Sequence, residues 1–236
     1  MHEHEHSVIS KKSILSPEYF LPLSVILSGI MISGAILYAA MAGGGAFGYD
    51  SGKEEEVAGA PSAAAPKINK DDIVLGDPKA PVTMFEYGDY SCGYCKKFAQ
   101  GAAPVLREKY VNSGKMKIVF RNFQFLSPES NNAANAAACA AEQGRFWAYH
   151  DELYKAPELN ESAYTQIAMS VGLDVDKFSD CYSKKPYAAK IEKDRTDGSS
   201  YGVNSTPTSF INGQKITGAL PAEEFSKIID AELAKK

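Results

Sequence analysis

Hydrophobic positions divide the chain into three zones. From Leu21 to Ala42 it reads LPLSVILSGIMISGAILYAAMA, without a charge. As a helix of about 1.5 Å per residue that run is ~33 Å long, enough to cross a hydrocarbon core of about 30 Å. Residues 43–70 hold a triple glycine, an acidic run and AGAPSAAAPK. No apolar period appears there, so the segment reads as a flexible linker with a coil-like reach of roughly 30 Å. Globular patterning begins at about Asp71.

Within that third zone, Val82–Tyr87 is a short, mostly apolar run between Pro81 and Gly88, which predicts a buried strand. Beyond the Ser91-Cys92-Gly93-Tyr94-Cys95 turn, Cys95, Phe98, Ala99, Ala102, Leu106 and Tyr110 recur at helical spacing, with a kink expected at Pro104. Lys115–Phe120 alternates as a strand does. Strand, helix and strand make a βαβ unit with both cysteines at the helix N-terminus. Residues 127–202 are helix-rich: an alanine run covers 133–141, Phe146-Trp147 with Leu153-Tyr154 forms a bulky stripe assigned to packing, and Ala163, Ile167 and Val171 form another. Gly172 and Lys184-Lys185-Pro186 read as breaks. Asn212-Gly213 between two β-like runs is a hairpin signal, and Pro221 opens a closing amphipathic helix.

Composition narrows the function classes. The 236 residues are 44% apolar and 23% charged, a globular balance. A net charge of −4 excludes a nucleic-acid binder that works through a basic face. The slightly negative mean hydropathy excludes a polytopic membrane protein but not a single span. Lys11 and Lys12 precede the apolar run, and the next basic residue after it is Lys53, followed by three glutamates. That asymmetry places residues 1–20 in the cytoplasm and the bulk of the chain outside. Ala40-Met41-Ala42 resembles a cleavage site, so a signal peptide competes with an anchor at 21–42. The anchor is favoured because the run exceeds the usual 7–15 residues. His2, His4 and His6 alternate with glutamates and read as a solvated tail.

Four cysteines are too few for a disulfide scaffold at this length. Cys92 and Cys95 have the CxxC spacing, but no second CxxC completes a zinc site, so no metal and no cofactor is expected. A thiolate at a helix N-terminus meets unpaired N–H groups and the positive end of the dipole. Cys92 is therefore the attacking thiol, and Cys95, one turn in, resolves the mixed disulfide. Glu86 precedes them on a buried strand. A carboxylate there is costly without a role or partner, unless it faces solvent at an edge.

Phe85–Cys95 resembles the active-site strand and turn of the DsbA-like thiol–disulfide oxidoreductases, in the thioredoxin-fold superfamily. The similarity continues through Ala140–Trp147, Gly202–Thr208 and Ile211–Gly213, and spans about residues 70–236. It implies an α/β thioredoxin-like fold at 71–236 with a helical insert at about 125–195. It implies a cis Pro207, with Thr206 and Pro207 meeting substrate backbone, and a Glu86 that ferries the Cys95 proton. It also implies a structural Cys139–Cys181 disulfide, the alternative being two buried free thiols. The Gly93-Tyr94 spacer and Thr206 depart from the strong oxidant of the family, so the direction of exchange stays open. Oxidase ranks first, reductase and isomerase follow, and a tethered client-binding module is the competing class. The expected partners are exported proteins, a membrane redox partner and the bilayer itself, for a monomer whose catalytic domain is extracytoplasmic.

Overall fold

The computed structural model describes residues 65–235. The tail at 1–20, the anchor at 21–42 and most of the 43–70 linker lie outside them. No helix among the described residues is long and apolar enough to cross a membrane.

A five-stranded mixed sheet organises the domain. Its strands are β1 (Ile73–Leu75), β2 (Val82–Gly88), β3 (Met116–Asn122), β4 (Thr208–Ile211) and β5 (Gln214–Thr217). Their order across the sheet is β1-β3-β2-β4-β5. The β2–β3 pair is parallel and the other three are antiparallel. Strand β2 is central and buried on both faces, which explains its near-continuous apolar sequence. Alternation sends Val82 and Met84 to one face, with Phe98, Leu106, Phe225 and Ile229. Phe85 and Tyr87 point to the other, with Val119, Phe123, Val203 and Phe210.

Helix α1 (Gly93–Gln100) follows β2, and α2 (Ala102–Leu106) leads into a single π-helical turn at Arg107–Val111. The expected kink at Pro104 is displaced. The break falls at Gly101, whose φ of −110° and ψ of −86° leave a Cβ only 2.9 Å from the Lys97 carbonyl. Pro104 is then the third residue of a new helix, where a missing N–H costs no bond. Strand β1 was not expected from the pattern, because three residues show no period.

The helical block comprises α3 (Pro128–Glu142), α4 (Phe146–Lys155), α5 (Glu161–Ser170), α6 (Val175–Lys184) and α7 (Ala188–Ser200). Three of its five helices start on side-chain caps. Ser127 and Ser130 form a reciprocal capping box for α3, Asn160 caps α5 and Asp174 caps α6. Cys139 of α3 and Cys181 of α6 are joined by a disulfide. The β4–β5 hairpin turns through Asn212 and Gly213, both at positive φ, as a two-residue loop of this kind requires. Helix α8 (Ala222–Ala234) closes the fold.

Ordered packing starts before Asp71. Arg121 on β3 is almost wholly buried, and its guanidinium needs acceptors. It finds Asp72 at 2.8 Å and 3.0 Å and the Lys67 carbonyl at 2.6 Å, which fastens the incoming chain to the sheet.

The covalent closure of the helical block yields a prediction. Closing a 42-residue separation is worth up to about 4 kcal/mol by loop entropy. The Cys139→Ala, Cys181→Ala double variant is expected to lose ~2–4 kcal/mol in urea unfolding at unchanged secondary structure.

Candidate active site

The C-terminal end of β2 and the N-terminal end of β4 are antiparallel neighbours, with Tyr87 opposite Thr208. The turn after β2 and the loop before β4 therefore meet at one edge. The turn carries Cys92 and Cys95, both as free thiols, and the loop carries Thr206 and a cis Pro207.

Asp89 shapes the turn. Its buried carboxylate accepts the Ser91 N–H at 2.8 Å through Oδ1, and the Phe125 and Leu126 N–H groups at 3.0 Å and 3.2 Å through Oδ2. Its carbonyl accepts the Cys92 N–H at 3.0 Å. The hydroxyls of Ser91, Ser127 and Ser130 are linked at 3.0–3.3 Å, so the cap of α3 is tied to the same turn. Cys92 is thereby fixed as the N-cap of α1.

The two thiols occupy opposite environments. Cys92 is 7% exposed, and its thiol is lowered from 9.0 to about 5. The largest cause is the hydrogen bond from the Cys95 side chain. Burial opposes it, and the Thr206 side chain and the backbone N–H groups of Cys95 and Tyr94 assist. The helix end thus contributes through its unpaired N–H groups, as the sequence suggested, but the neighbouring sulfur matters more. Cys95 is 0% exposed, and burial first, then the bond to Cys92, pushes its thiol far above the ordinary range. As a thiol, Cys92 donates to the Thr206 carbonyl at 3.3 Å. Thr206 Oγ1 is buried without a hydrogen-bond partner among the described residues, and the Thr206 side chain favours the Cys92 thiolate.

Of the spacer residues, Gly93 opens α1 and Tyr94 is 69% exposed. Tyr94 therefore extends toward solvent, with the half-exposed Phe125 and Leu126 on the loop that Asp89 holds. Glu86 is buried, not an edge residue, and shares the face of Val82 and Met84. Burial raises its carboxyl from 4.5 to about 7, with Arg107 opposing and Asp151 adding to the rise. Trp147 packs against both neighbouring core clusters, in keeping with its assigned role. Among the described residues no group of three His, Cys, Asp or Glu is gathered to hold a metal ion.

Sequence reasoning gave Asp89 no catalytic role and passed over His150, Arg107 and Asp151. Asp89 was within reach, since an Asp two residues before a turn N–H is an Asx-turn signal. His150 is buried against Tyr90, whose hydroxyl lies 2.9 Å from Nδ1, and burial followed by Arg107 holds its ring neutral. Arg107 and Asp151 meet across 44 residues of separation, which no local pattern marks.

Known proteins resemble this chain in sequence and fold. Residues 68–231 match a family model described as thioredoxin. The Na(+)/H(+) antiporter NhaA 3 of Salinispora tropica is 34% identical over 166 residues, which cover 69% of this chain and 25% of the antiporter. This chain therefore spans about a quarter of that relative's length. A "Probable disulfide bond formation protein D" of Bacillus anthracis is 28% identical over 171 residues, 68% of this chain and 78% of its own. The oxidised BdbD structure from Bacillus subtilis superposes with a TM-score of 0.67 at 27% identity, over 72% of this chain and 96% of that one. Wolbachia pipientis alpha-DsbA1 does so at 0.66 and 27%, over 74% and 96%. The chain belongs to the thioredoxin family, among its DsbA-like thiol–disulfide oxidoreductases.

Proposed function

We propose that the chain is a membrane-tethered, extracytoplasmic thiol–disulfide oxidoreductase that passes disulfides to exported proteins, acting as an oxidase. The observation that carries the direction is the lowered Cys92 thiol. Stabilising the thiolate stabilises the reduced pair, which makes the disulfide form the stronger oxidant. The disulfide within the helical block supports an oxidising compartment. The uncharged run at 21–42, preceded by Lys11 and Lys12, supports the tether and its orientation. The glycine- and alanine-rich composition before Lys67 supports a spacer between the span and a monomeric catalytic domain.

The exchange proceeds in two displacements. A client thiolate attacks Cys92 Sγ of the Cys92–Cys95 disulfide, and Cys95 leaves with the bonding electron pair. Cys95 is wholly buried and needs a proton, which the Glu86 carboxyl supplies. A second client thiolate then attacks the client sulfur of the mixed disulfide. Cys92 leaves as the low-pKa thiolate, a good leaving group. Thr206, whose carbonyl meets the sulfur, and the adjoining cis Pro207 receive the client backbone. A membrane redox partner then takes two electrons and restores the disulfide, while Glu86 receives the Cys95 proton. No cofactor is required.

Equilibration of the full-length chain in glutathione buffers measures the potential. A thiol lowered to about 5 in place of the ~7 of a thioredoxin stabilises the reduced form by about 2 kcal/mol at pH 7. That is about 40 mV, which places the couple near −230 mV. The Gly93-Tyr94 spacer keeps it short of the strong oxidants at about −120 mV. A value at or below about −270 mV would make the chain a reductase. Client oxidation is expected to vanish in the Cys92→Ser and Cys95→Ser variants. If client handling survived in both, the binding-module reading would replace this one.

Thr206→Val keeps the shape of the side chain and removes the hydroxyl that favours the thiolate. The iodoacetamide reaction of Cys92, followed against pH, is expected to inflect near 5 in the parent chain and higher in the variant. The sign follows from losing a donor to the thiolate, and an unmoved inflection would refute the hydroxyl's role.

A further inference from the structure

Four buried polar atoms around Glu86 and Arg107 lack hydrogen-bond partners among the described residues. They are Glu86 Oε1, Arg107 Nε, Trp147 Nε1 and the Tyr154 hydroxyl. Interiors leave few such groups unsatisfied, and polar pockets of this kind are where ordered water sits. Arg107 begins the π-helical turn, and Trp147 and Tyr154 project from α4. The guanidinium lies 5.1 Å from the Trp147 ring centroid. Its Nη1 donates to both carboxylate oxygens of Asp151, at 2.8 Å and 2.6 Å. The pair is 20% and 36% exposed, so it stands between interior and solvent. An open cleft of about 830 Å³, lined by Ala99, Gln100, Pro104, Arg107, Asp151 and Lys155, reaches it from outside.

The other elements around Glu86 bring no charge to it. Opposite Glu86, β3 offers Phe120 and β4 offers Ser209. Helix α1 brings Cys95, which acts together with Glu86 on Tyr90 and Tyr154. Tyr90 and Tyr154 are held protonated by burial, and His150 is held neutral. The charges that act on the carboxyl are Arg107 and Asp151, in opposite senses. Yet both Cys95 and Glu86 are closed to water, so each turnover must bring a proton in or let one out.

We propose that Arg107 and Asp151 are positioning residues for this proton: they hold water between the cleft and Glu86 and set the pH at which Glu86 releases its proton. The inference rests on the proton role of Glu86 proposed above. When the pair is reoxidised, the Cys95 S–H proton passes to the Glu86 carboxylate as Cys95 attacks the mixed disulfide on Cys92. The departing partner thiolate carries the electron pair away. Glu86–COOH then gives its proton to water at the Arg107–Asp151 mouth. In the opposite direction the same water reprotonates Glu86. Only the proton uses this route.

An ion pair nearly cancels itself, so removing one member unmasks the other. Asp151→Asn leaves the Arg107 cation unopposed and favours the Glu86 carboxylate. Arg107→Gln leaves the Asp151 anion unopposed and favours the acid. The two changes must therefore shift Glu86 in opposite directions, which a loss of packing cannot do.

The test mixes the reduced full-length chain rapidly with saturating oxidised glutathione, so that attack by Cys95 limits the rate, and records that rate against pH. The parent chain is expected to inflect near 7. Asp151→Asn should move the inflection down, and Arg107→Gln up, each by about one pH unit. Arg107→Lys should return most of the Arg107→Gln shift. The Glu86→Gln chain should lose the inflection. If it keeps the inflection, the proton role of Glu86 falls. If Glu86→Gln loses it while the Arg107 and Asp151 variants leave it in place, or move it the same way, the positioning proposal is overturned. A lowered melting temperature with an unmoved inflection overturns it equally. Should Arg107→Gln fail to fold, the nearly isosteric Asp151→Asn decides alone.

Discussion

The buried carboxylate of Asp89 accepts three backbone N–H groups from two chain segments. Hydrogen bonds to a charged group are each worth about 1.5–3 kcal/mol, and an unpaired buried charge would cost more than any of them gains. The chain must therefore bring Ser91, Phe125 and Leu126 together around that one side chain. This fixes where β2 ends, where α1 begins and where the helical block leaves the sheet. Cys92 becomes an N-cap and Cys95 falls one turn deeper, under the core. The contrast between the two thiols follows from that placement.

Asymmetry between neighbouring sulfurs then produces the chemistry. A proton shared between Cys92 and Cys95 rests with the sulfur that has the poorer surroundings for charge. Cys95 is wholly buried, whereas Cys92 has the Cys95 and Tyr94 N–H groups and the Thr206 side chain. On the proposed function, the less buried sulfur is then both the one that clients reach and the better leaving group. The buried one is committed to closing the ring. The fold spends no charged side chain on this, which is why a tyrosine suffices at position 94.

Most of this was legible in the order of residues. Central β2 shows as an apolar run because it is buried on both faces. The hairpin shows because Asn212 and Gly213 must take positive φ. The thiol pair shows because its spacing spans one helical turn. The less legible parts share a cause. Strand β1 is too short for a period, and it is held by Arg121, which reads as an ordinary surface cation until Asp72 and the Lys67 carbonyl are found around it. The break at Gly101 was masked by Pro104, the more conspicuous residue. Burial of Glu86 was open in the sequence because one strand cannot say how many neighbours it has. Arg107 and Asp151 are joined only by tertiary packing.

The Cys139–Cys181 bond has a consequence for the protein's own biogenesis. On the proposed function, each copy reaches the oxidising side of the membrane with four thiols, and two of them belong to the helical block that abuts the active site. That block is stapled by the very product the enzyme makes for others. A newly arrived copy is thus a client before it is a catalyst, and mature molecules hasten the completion of their successors.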